Sequence, residues 1–224
     1  MTKRKLKVID LGVIEFEKSY RFQREILKNR QYNETIDTLI LQEYFPCYTI
    51  GREGLIEEIL FDDEAEEYNE PVDVYEVDRG GAVFYHGPGQ LIAYLISPLS
   101  PQDICVYVKN LEEVCIRLLR KLGLAAYRKK NRVGVWIGKK QIGFFGIGIS
   151  QWISYHGMAI NVNPDLSAFK MIDEFNDTTF SVGSMNDFLE APLHIKKAKV
   201  LLTRSFCEVY NYRVEKTEKF TRVA

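Results

Sequence analysis

A glycine-rich segment between two apolar stretches contains the most informative set of polar residues in this sequence. Residues 78–91 read Asp-Arg-Gly-Gly-Ala-Val-Phe-Tyr-His-Gly-Pro-Gly-Gln-Leu. Glycine lets the backbone approach a ligand closely, and consecutive N–H groups in such a loop can bind an anion. Arg79 adds a bidentate donor for a carboxylate, a phosphate or a polarised carbonyl. The segment predicts a binding loop for such a group; the alternative is a pair of tight turns with a surface arginine.

A second histidine, His156, lies in another informative string. Residues 155–166 read Tyr-His-Gly-Met-Ala-Ile-Asn-Val-Asn-Pro-Asp-Leu. A His-Gly step that enters an apolar strand predicts His156 at the rim of a pocket. The alternative is a half-buried structural histidine bonded to a backbone carbonyl. The sequence has no HExxH string or Ser-His-Asp spacing, and its four cysteines form no CxxC pair. It therefore predicts neither a hydrolase nor a metal site.

The elements that must position these segments are mixed helices and strands. Helical periodicity predicts helices at 15–30, 103–122 and 195–210. Short apolar or alternating runs predict strands at 7–11, 38–44, 47–50, 72–77, 91–96, 133–137, 141–149 and 157–162. Because helices and strands do not alternate regularly, the pattern favours an α+β fold over a doubly wound sheet. We expect a single domain over residues 1–224, since no linker interrupts the 224-residue chain.

The charge balance excludes some partners. Lys plus Arg number 30 and Asp plus Glu number 31, which gives a formal net charge of -1. We therefore expect no general attraction to nucleic acid or to membranes. No apolar run approaches the roughly 18 residues that a membrane span requires, so we expect a cytoplasmic protein. One local basic cluster remains, formed by Arg128, Lys129, Lys130 and Arg132.

Three strings together resemble the signature of the LipB-type octanoyltransferases, relatives of the lipoate– and biotin–protein ligases. They are RGGAVFYHGPGQLIAY at 79–94, HGMAINVNPDLSAF at 156–169 and PCYTIGR at 46–52. The likeness runs from about Val8 to about Met185. Two of the strings are long and specific, so a chance match in this order is very improbable.

The resemblance implies a fold and a pocket. The fold is the biotin/lipoate protein ligase-like catalytic domain, a central mixed β-sheet flanked by helices with a smaller sheet at one side. The pocket would hold a medium-length acyl chain and its carbonyl. Implied for the acyl carbonyl are Arg79, Gly80, Gly81, Tyr85 and His86; implied for the acyl slot are Phe145, Gly146, His156, Gly157, Met158 and Ala159.

The resemblance also implies partners. In this family an octanoyl or lipoyl group passes from acyl carrier protein to a lysine of a lipoyl domain. Lipoyl domains belong to 2-oxoacid dehydrogenases and to the glycine cleavage H protein. No cofactor is implied for that reaction. The basic cluster at 128–132 could meet an acidic carrier domain.

This chain departs from the family at its two reactive positions. The family's mechanism resembles an acyl relay through a cysteine thioester, and a lysine lowers the pKa of that cysteine. Phe175 stands at the cysteine position and Gln141 at the lysine position. Lys140 is a tentative catalytic substitute, although a solvated hairpin lysine is the alternative reading. A nucleophilic role for Cys47 competes with a core role in its apolar strand.

Three functions therefore stay open. The first is octanoyl or lipoyl transfer, in which the acyl group passes directly to the acceptor lysine. The second is an ATP-dependent lipoate– or octanoate–protein ligase, which would need ATP and Mg²⁺. The third is a non-catalytic subunit that binds an acyl chain or a carrier domain. A Lys140 side chain that points into the pocket would favour an enzyme, and one that points into solvent would favour the binding subunit.

Overall fold

A large mixed sheet forms the centre of the computed structural model, which describes residues 2–60, 72–172 and 181–219. Within those residues the sheet has nine strands. They are β1 (Arg4–Ile14), β2 (Asp37–Tyr44), β6 (Gln90–Ile96), β7 (Tyr127–Lys129), β8 (Arg132–Ile137), β9 (Lys140–Ser150), β10 (Ile153–Asn161), β11 (Ser181–Val182) and β12 (Tyr212–Lys219). Their order is β12-β1-β2-β6-β10-β9-β8-β7, and β11 pairs with β9.

Along this order the pairing of the strands changes once, from parallel to antiparallel. β1 is parallel to both β2 and β12, whereas the pairs from β2 to β7 along this order are antiparallel. β2 and β6 are buried along their whole length, because elements cover both faces of the sheet there. Their near-continuous apolar sequences are typical of strands in that position.

Three helices cover the two faces: α1 (Phe16–Gln31), α2 (Ile104–Lys121) and α3 (Ile195–Val209). Alternate residues of a strand point to opposite faces. Leu91 and Leu95 accordingly pack in the core under α2 and α3, and Ile92 and Ile96 pack in the core under α1. The Asp103 side chain caps α2 by accepting a hydrogen bond from the Val106 N–H at 3.0 Å.

A smaller sheet packs on the α1 side. It contains β3 (Cys47–Ile50) between β4 (Asp73–Glu76) and β5 (Val83–His86), and β5 runs antiparallel to β3. The loops after β3 and before β5 touch each other, with N–H bonds from Gly51 to the Ala82 carbonyl and from Arg52 to the Arg79 carbonyl. A Cβ at Gly51 would overlap the Gly81 carbonyl oxygen, so only glycine permits this approach.

The α+β class, the central mixed sheet and the smaller sheet expected from the resemblance are confirmed. Four strands, β5, β7, β11 and β12, were not predicted. The longest of them is β12. Its sequence, Tyr-Arg-Val-Glu-Lys-Thr-Glu-Lys, is polar and mostly exposed, because β12 is an edge strand whose outer positions face solvent. Edge strands often carry such charges, which hide the apolar alternation that identifies a strand. None of the helices in the described ranges is long and apolar enough to cross a membrane.

Candidate active site

A cavity of about 420 Å³ lies between the small sheet and the β6, β10 and β9 region of the large sheet. This volume falls in the usual range for small-molecule sites. The apolar part of its wall is formed by Ala82, Val83, Phe84, Ile92, Val133, Phe144, Phe145, Met158 and Ala159. The polar part is formed by Glu53, Arg79, His86, Tyr94, Asn131, Arg132 and Gln141. The cavity therefore suits a ligand with an apolar chain and one polar end.

Arg79 is fixed at the polar end of this cavity. Its Nη2 donates to the carbonyl and hydroxyl oxygens of Thr49, both at 2.8 Å, and its Nη1 donates to the Gly80 carbonyl at 3.0 Å. Within the described chain these bonds use three of its five N–H donors, so two remain for a ligand carbonyl. Burial lowers the pKa of Arg79 to about 10, which leaves the guanidinium charged at neutral pH.

The close packing of Arg79 requires glycine on the facing strand. A Cβ at Gly146 would lie 2.9 Å from the Arg79 Cδ and 2.9 Å from the Gly80 carbonyl oxygen. Any larger residue would displace the arginine or its loop. Gly146 thus sets the position of the guanidinium relative to β9.

His86 continues the hydrogen-bond network from Arg79 as a neutral ring. Its Nε2 lies 3.1 Å from the Thr49 Oγ1, and its Nδ1 lies 2.7 Å from the Gln90 Oε1. Because an amide oxygen only accepts, Nδ1 carries the proton and Nε2 accepts from Thr49. Burial lowers the pKa of His86 to about 3. Both ring nitrogens are engaged, so His86 organises the cavity wall rather than acting as a base.

The same network reaches the far side of the cavity through two amides. The Gln90 Nε2 donates to the Asn161 Oδ1 at 2.9 Å, and the Asn161 Nδ2 donates to the Gly183 carbonyl at 3.0 Å. Gly183 in turn donates its N–H to the Gln141 carbonyl at 2.9 Å. These bonds connect the small sheet, β6, β10 and β9 around one cavity.

Most of the residues expected at the site line this cavity. They are Arg79, Gly81, His86, Phe145, Gly146, Gly157, Met158 and Ala159, and Gln141 joins them. Four expected residues lie elsewhere: Gly80, Tyr85, His156 and Lys140.

Tyr85 and Gly80 face away from the cavity for simple geometric reasons. Tyr85 lies on the opposite face of β5 from His86 and packs against Tyr48 and Phe169, with ring centroids 5.4 and 5.5 Å apart. The Gly80 N–H donates to the Ile147 carbonyl at 3.0 Å, so it is not free to bind an anion. Both residues support the loop without lining the cavity.

His156 contacts α1 and the loop before Arg79 instead of the acyl slot. Its φ of 53° disturbs the alternation of β10, so that Tyr155 and His156 both reach Asp78. The His156 Nε2 lies 3.1 Å from the Asp78 Oδ1, and its backbone N–H donates to the Gln23 Oε1 at 3.0 Å. Hydrogen bonds from His156, then from Tyr155, hold the pKa of Asp78 well below its usual range. His156 thus holds the Arg79 loop in place through Asp78, on the side that faces away from the cavity.

Lys140 and Gln141 point in different directions, as neighbours on a strand do. The Lys140 Nζ pairs with the Asp187 carboxylate at 2.8 Å, and its side chain is 43% exposed. Gln141 is buried, lines the cavity, and donates from Nε2 to the Gly143 carbonyl at 3.3 Å. The Lys140 side chain therefore does not line the cavity, and its catalytic role stays a prediction. Phe175, at the family's cysteine position, lies outside the described residues.

Cys47 does not supply a replacement nucleophile. It is buried on β3, and burial raises the pKa of its thiol well above the usual range. Among the described residues no cysteine lines the cavity. A thioester relay through a described cysteine is thus not available here.

Several cavity residues were not expected from the sequence. Phe84 is on the same face of β5 as His86, and Ile92 and Tyr94 alternate along β6, so a strict period of two would have identified them. Asn131 lies in the turn before β8, Arg132 is the first residue of β8, and Glu53 follows the glycine-arginine turn at 51–52. No local pattern identifies Glu53, which reaches the cavity through contacts between the two loops.

Comparison with known proteins identifies the family of this chain. Residues 16–207 match the family model for the lipoyl protein ligase A/B catalytic domain. An octanoyltransferase of Caldanaerobacter subterraneus subsp. tengcongensis is 37% identical over 99% of this chain and 96% of its own length. An octanoyltransferase of Alkaliphilus metalliredigens is 38% identical over 95% of this chain and 98% of its own length.

The fold agrees with a solved structure as well. A lipoate–protein ligase A bound with ATP superimposes with a TM-score of 0.78 at 19% identity, covering 99% of this chain and 90% of that one. At that identity the likeness concerns the fold alone. On the family model and the two relatives, the chain belongs to the lipoyl protein ligase A/B catalytic domain family.

Proposed function

We propose that this protein transfers an octanoyl or lipoyl group from acyl carrier protein to a lysine of a lipoyl domain. The observation that carries the proposal is the cavity, whose apolar wall ends at the charged Arg79 with two donors free for a carbonyl. The octanoyltransferase activity named for its relatives supports this choice of reaction. The acceptor would be a lipoyl domain of a 2-oxoacid dehydrogenase or the glycine cleavage H protein.

The transfer would proceed in one displacement, because Gln141 cannot act as a base and the described cavity holds no thiol. The apolar wall would hold the acyl chain while Arg79 polarises the thioester carbonyl. The lysine amine attacks that carbon, the C–N bond forms, the C–S bond breaks, and the carrier thiolate leaves. Positioning of the two reactants in one site would supply a large part of the rate enhancement.

One specific observation favours a second candidate, a non-catalytic subunit that binds acyl chains or carrier domains. The Lys140 side chain points to solvent, and the amide Gln141 lines the cavity. A site that has lost its catalytic groups would show this arrangement. The direct transfer has no need of Lys140, however, and Arg79 keeps two N–H donors for the acyl carbonyl. The ligase alternative is weaker, since it requires a lysine beside the acyl-adenylate and ATP with Mg²⁺ as cosubstrates. We propose no cofactor for the transfer itself.

The extent and location of the protein are part of the same proposal. We infer that residues 1–224 form one catalytic domain, since the two hydrophobic cores share the central sheet. We expect it to act in the cytoplasm, where acyl carrier protein would supply the acyl group. We expect the basic cluster at 128–132 to meet the acidic carrier domain, and Arg132 of that cluster lines the cavity.

The proposal is tested by intact-mass measurement of an apo lipoyl domain after incubation with the protein. One reaction contains octanoyl–acyl carrier protein, and the other contains octanoate with Mg-ATP. We expect octanoylation in the first reaction only. Modification in the second reaction alone would establish a ligase. A folded protein that binds octanoyl–acyl carrier protein yet modifies nothing would establish the binding subunit.

A further inference from the structure

Glu53 is the single carboxylate among the described residues that line the acyl cavity. It also lines a neighbouring groove of about 540 Å³, so it stands where the two spaces meet. In the described ranges it makes no ion pair, and its side chain is exposed. A carboxylate in this position has its oxygens available to an incoming group.

The backbone around Glu53 holds it against the Arg79 loop. The Arg52 N–H donates to the Arg79 carbonyl at 3.0 Å, and the Glu53 N–H donates to the Gly81 carbonyl at 3.4 Å. The charge of Glu53 also acts favourably on the Arg79 guanidinium. The carboxylate is therefore kept near the group that would polarise the acyl carbonyl.

Direct transfer to lysine creates a need that the rest of the cavity does not meet. A lysine side chain is an ammonium at neutral pH and must lose a proton to attack. His86 uses both ring nitrogens, the Gln141 amide does not titrate, and Asp78 faces α1 instead of the cavity. The Tyr94 phenol is protonated at neutral pH, because burial raises its pKa to about 12. Glu53 is left as the described cavity residue that could take a proton from an amine.

The groove beyond Glu53 offers a path for that lysine. Its lining includes Arg52, Gly80, Ile147, Ile104 and Trp152, and the last two are 49% and 43% exposed. An exposed apolar surface that leads to a reactive site is typical of a docking surface. A lysine presented along it would pass Glu53 before it reached the acyl carbonyl.

We propose that Glu53 is the catalytic residue that receives the acceptor lysine, which deepens and rests on the proposed octanoyl transfer. Its carboxylate pairs with the ammonium and accepts one proton as nitrogen attacks the thioester carbon. The second nitrogen proton leaves on the departing carrier sulfur when the C–S bond breaks. The products are an amide, a free carrier thiol and one proton, which Glu53 releases to solvent.

The test compares two nucleophiles on octanoyl–acyl carrier protein, with Glu53→Gln and a matched control, Glu57→Gln. Glu57 lies on the same segment but lines neither space. The first nucleophile is an apo lipoyl domain; the second is hydroxylamine, which is neutral at pH 7. We expect Glu53→Gln to slow lysine octanoylation about 100-fold at pH 7, with a deficit that shrinks as pH rises. Hydroxylamine cleavage by this variant, and both reactions of Glu57→Gln, should match the unmodified protein.

Other results overturn the idea. If Glu53→Gln octanoylates the lipoyl domain within twofold of the unmodified protein across pH, Glu53 has no such role while the proposed function stands. Equal losses with lysine and hydroxylamine would show a defect in acyl binding, and would also remove the role. An unmodified protein that transfers nothing to the lipoyl domain would overturn both proposals. Thermal unfolding of each variant shows whether it is folded.

Discussion

The apolar wall and the polar end of the cavity are built by different means. The wall takes its shape from ring and aliphatic packing, such as Phe84 against Phe144 with ring centroids 4.6 Å apart. The polar end is held by directional bonds from Arg79 through Thr49 to His86, each 3.1 Å or shorter. Packing tolerates many similar residues, whereas a hydrogen-bonded network tolerates few. The wall should therefore set which acyl chain binds, and the polar end should set whether it reacts.

The largest effect is expected at the polar end, from Arg79→Met. The variant keeps an unbranched apolar stem but removes the guanidinium, and with it every side-chain donor to the acyl carbonyl and to Thr49. Loss of a carbonyl-polarising donor typically costs about 10²- to 10³-fold in kcat, and we expect a decrease of that size in octanoyl transfer. The measurement is single-turnover transfer with saturating octanoyl–acyl carrier protein. A folded Arg79→Met protein with a near-normal rate would show that Arg79 serves only the loop structure.

A wall substitution, Ala159→Phe, should act on chain length instead. The phenyl ring would occupy the acyl slot and displace the thioester, and misplacement by about 1 Å can cost about 100-fold. We expect a loss of about that size for octanoyl but a much smaller loss for acetyl, measured as kcat/KM with each acyl–carrier thioester. Equal losses for both chains would contradict the assignment of Ala159 to the acyl slot.

The buried His86 predicts a smaller effect, on stability and its pH dependence. Its folded pKa of about 3 lies below the ordinary value of 6.5, so the unfolded chain binds the proton first as pH falls. The unfolding free energy should decrease from about pH 6.5 toward pH 3, by at most about 1.4 kcal/mol per pH unit from this residue. His86→Gln should flatten that slope in urea titrations. An unchanged slope would mean that His86 is protonated in the folded protein.

The smallest effect is expected outside the cavity, from Lys140→Ala. The Lys140–Asp187 pair is partly exposed, and such pairs contribute about 0–1 kcal/mol to stability. We expect octanoyl transfer within about twofold of the unmodified protein, measured beside Arg79→Met. A loss comparable with that of Arg79→Met would restore Lys140 as a catalytic candidate and weaken the contrast between cavity and surface.

The sequence predicts the wall better than the details of the polar end. Gly146, Met158 and Ala159 line the cavity, as the resemblance to the family's strings implied. His156 does not, since its positive φ depends on Gln23 and Asp78, which are distant in sequence. Strand alternation alone predicts that Tyr85 and its neighbour His86 point to opposite faces, and therefore that only one of them lines the cavity. Glu53 joins the site only through contacts between two loops, which no local pattern encodes.

The secondary structure shows the same difference between features set by nearby residues and features set by distant ones. Helix α2 is recognisable from its apolar face and its Asp103 cap, both local features. Strand β12 pairs with β1, which lies at the other end of the sequence, and β12 carries almost no apolar pattern. Its existence depends on a tertiary partner, and single-sequence periodicity does not report such pairing.

The most direct test of the account follows the mass of this protein itself during transfer. Rapidly quenched reactions with octanoyl–acyl carrier protein and an apo lipoyl domain would be measured by intact mass for all three proteins. One-step transfer predicts that the lipoyl domain gains one octanoyl group while this protein never carries one, even when the acceptor is omitted. An octanoylated form of this protein that builds up without acceptor and then disappears when acceptor is added would contradict direct transfer.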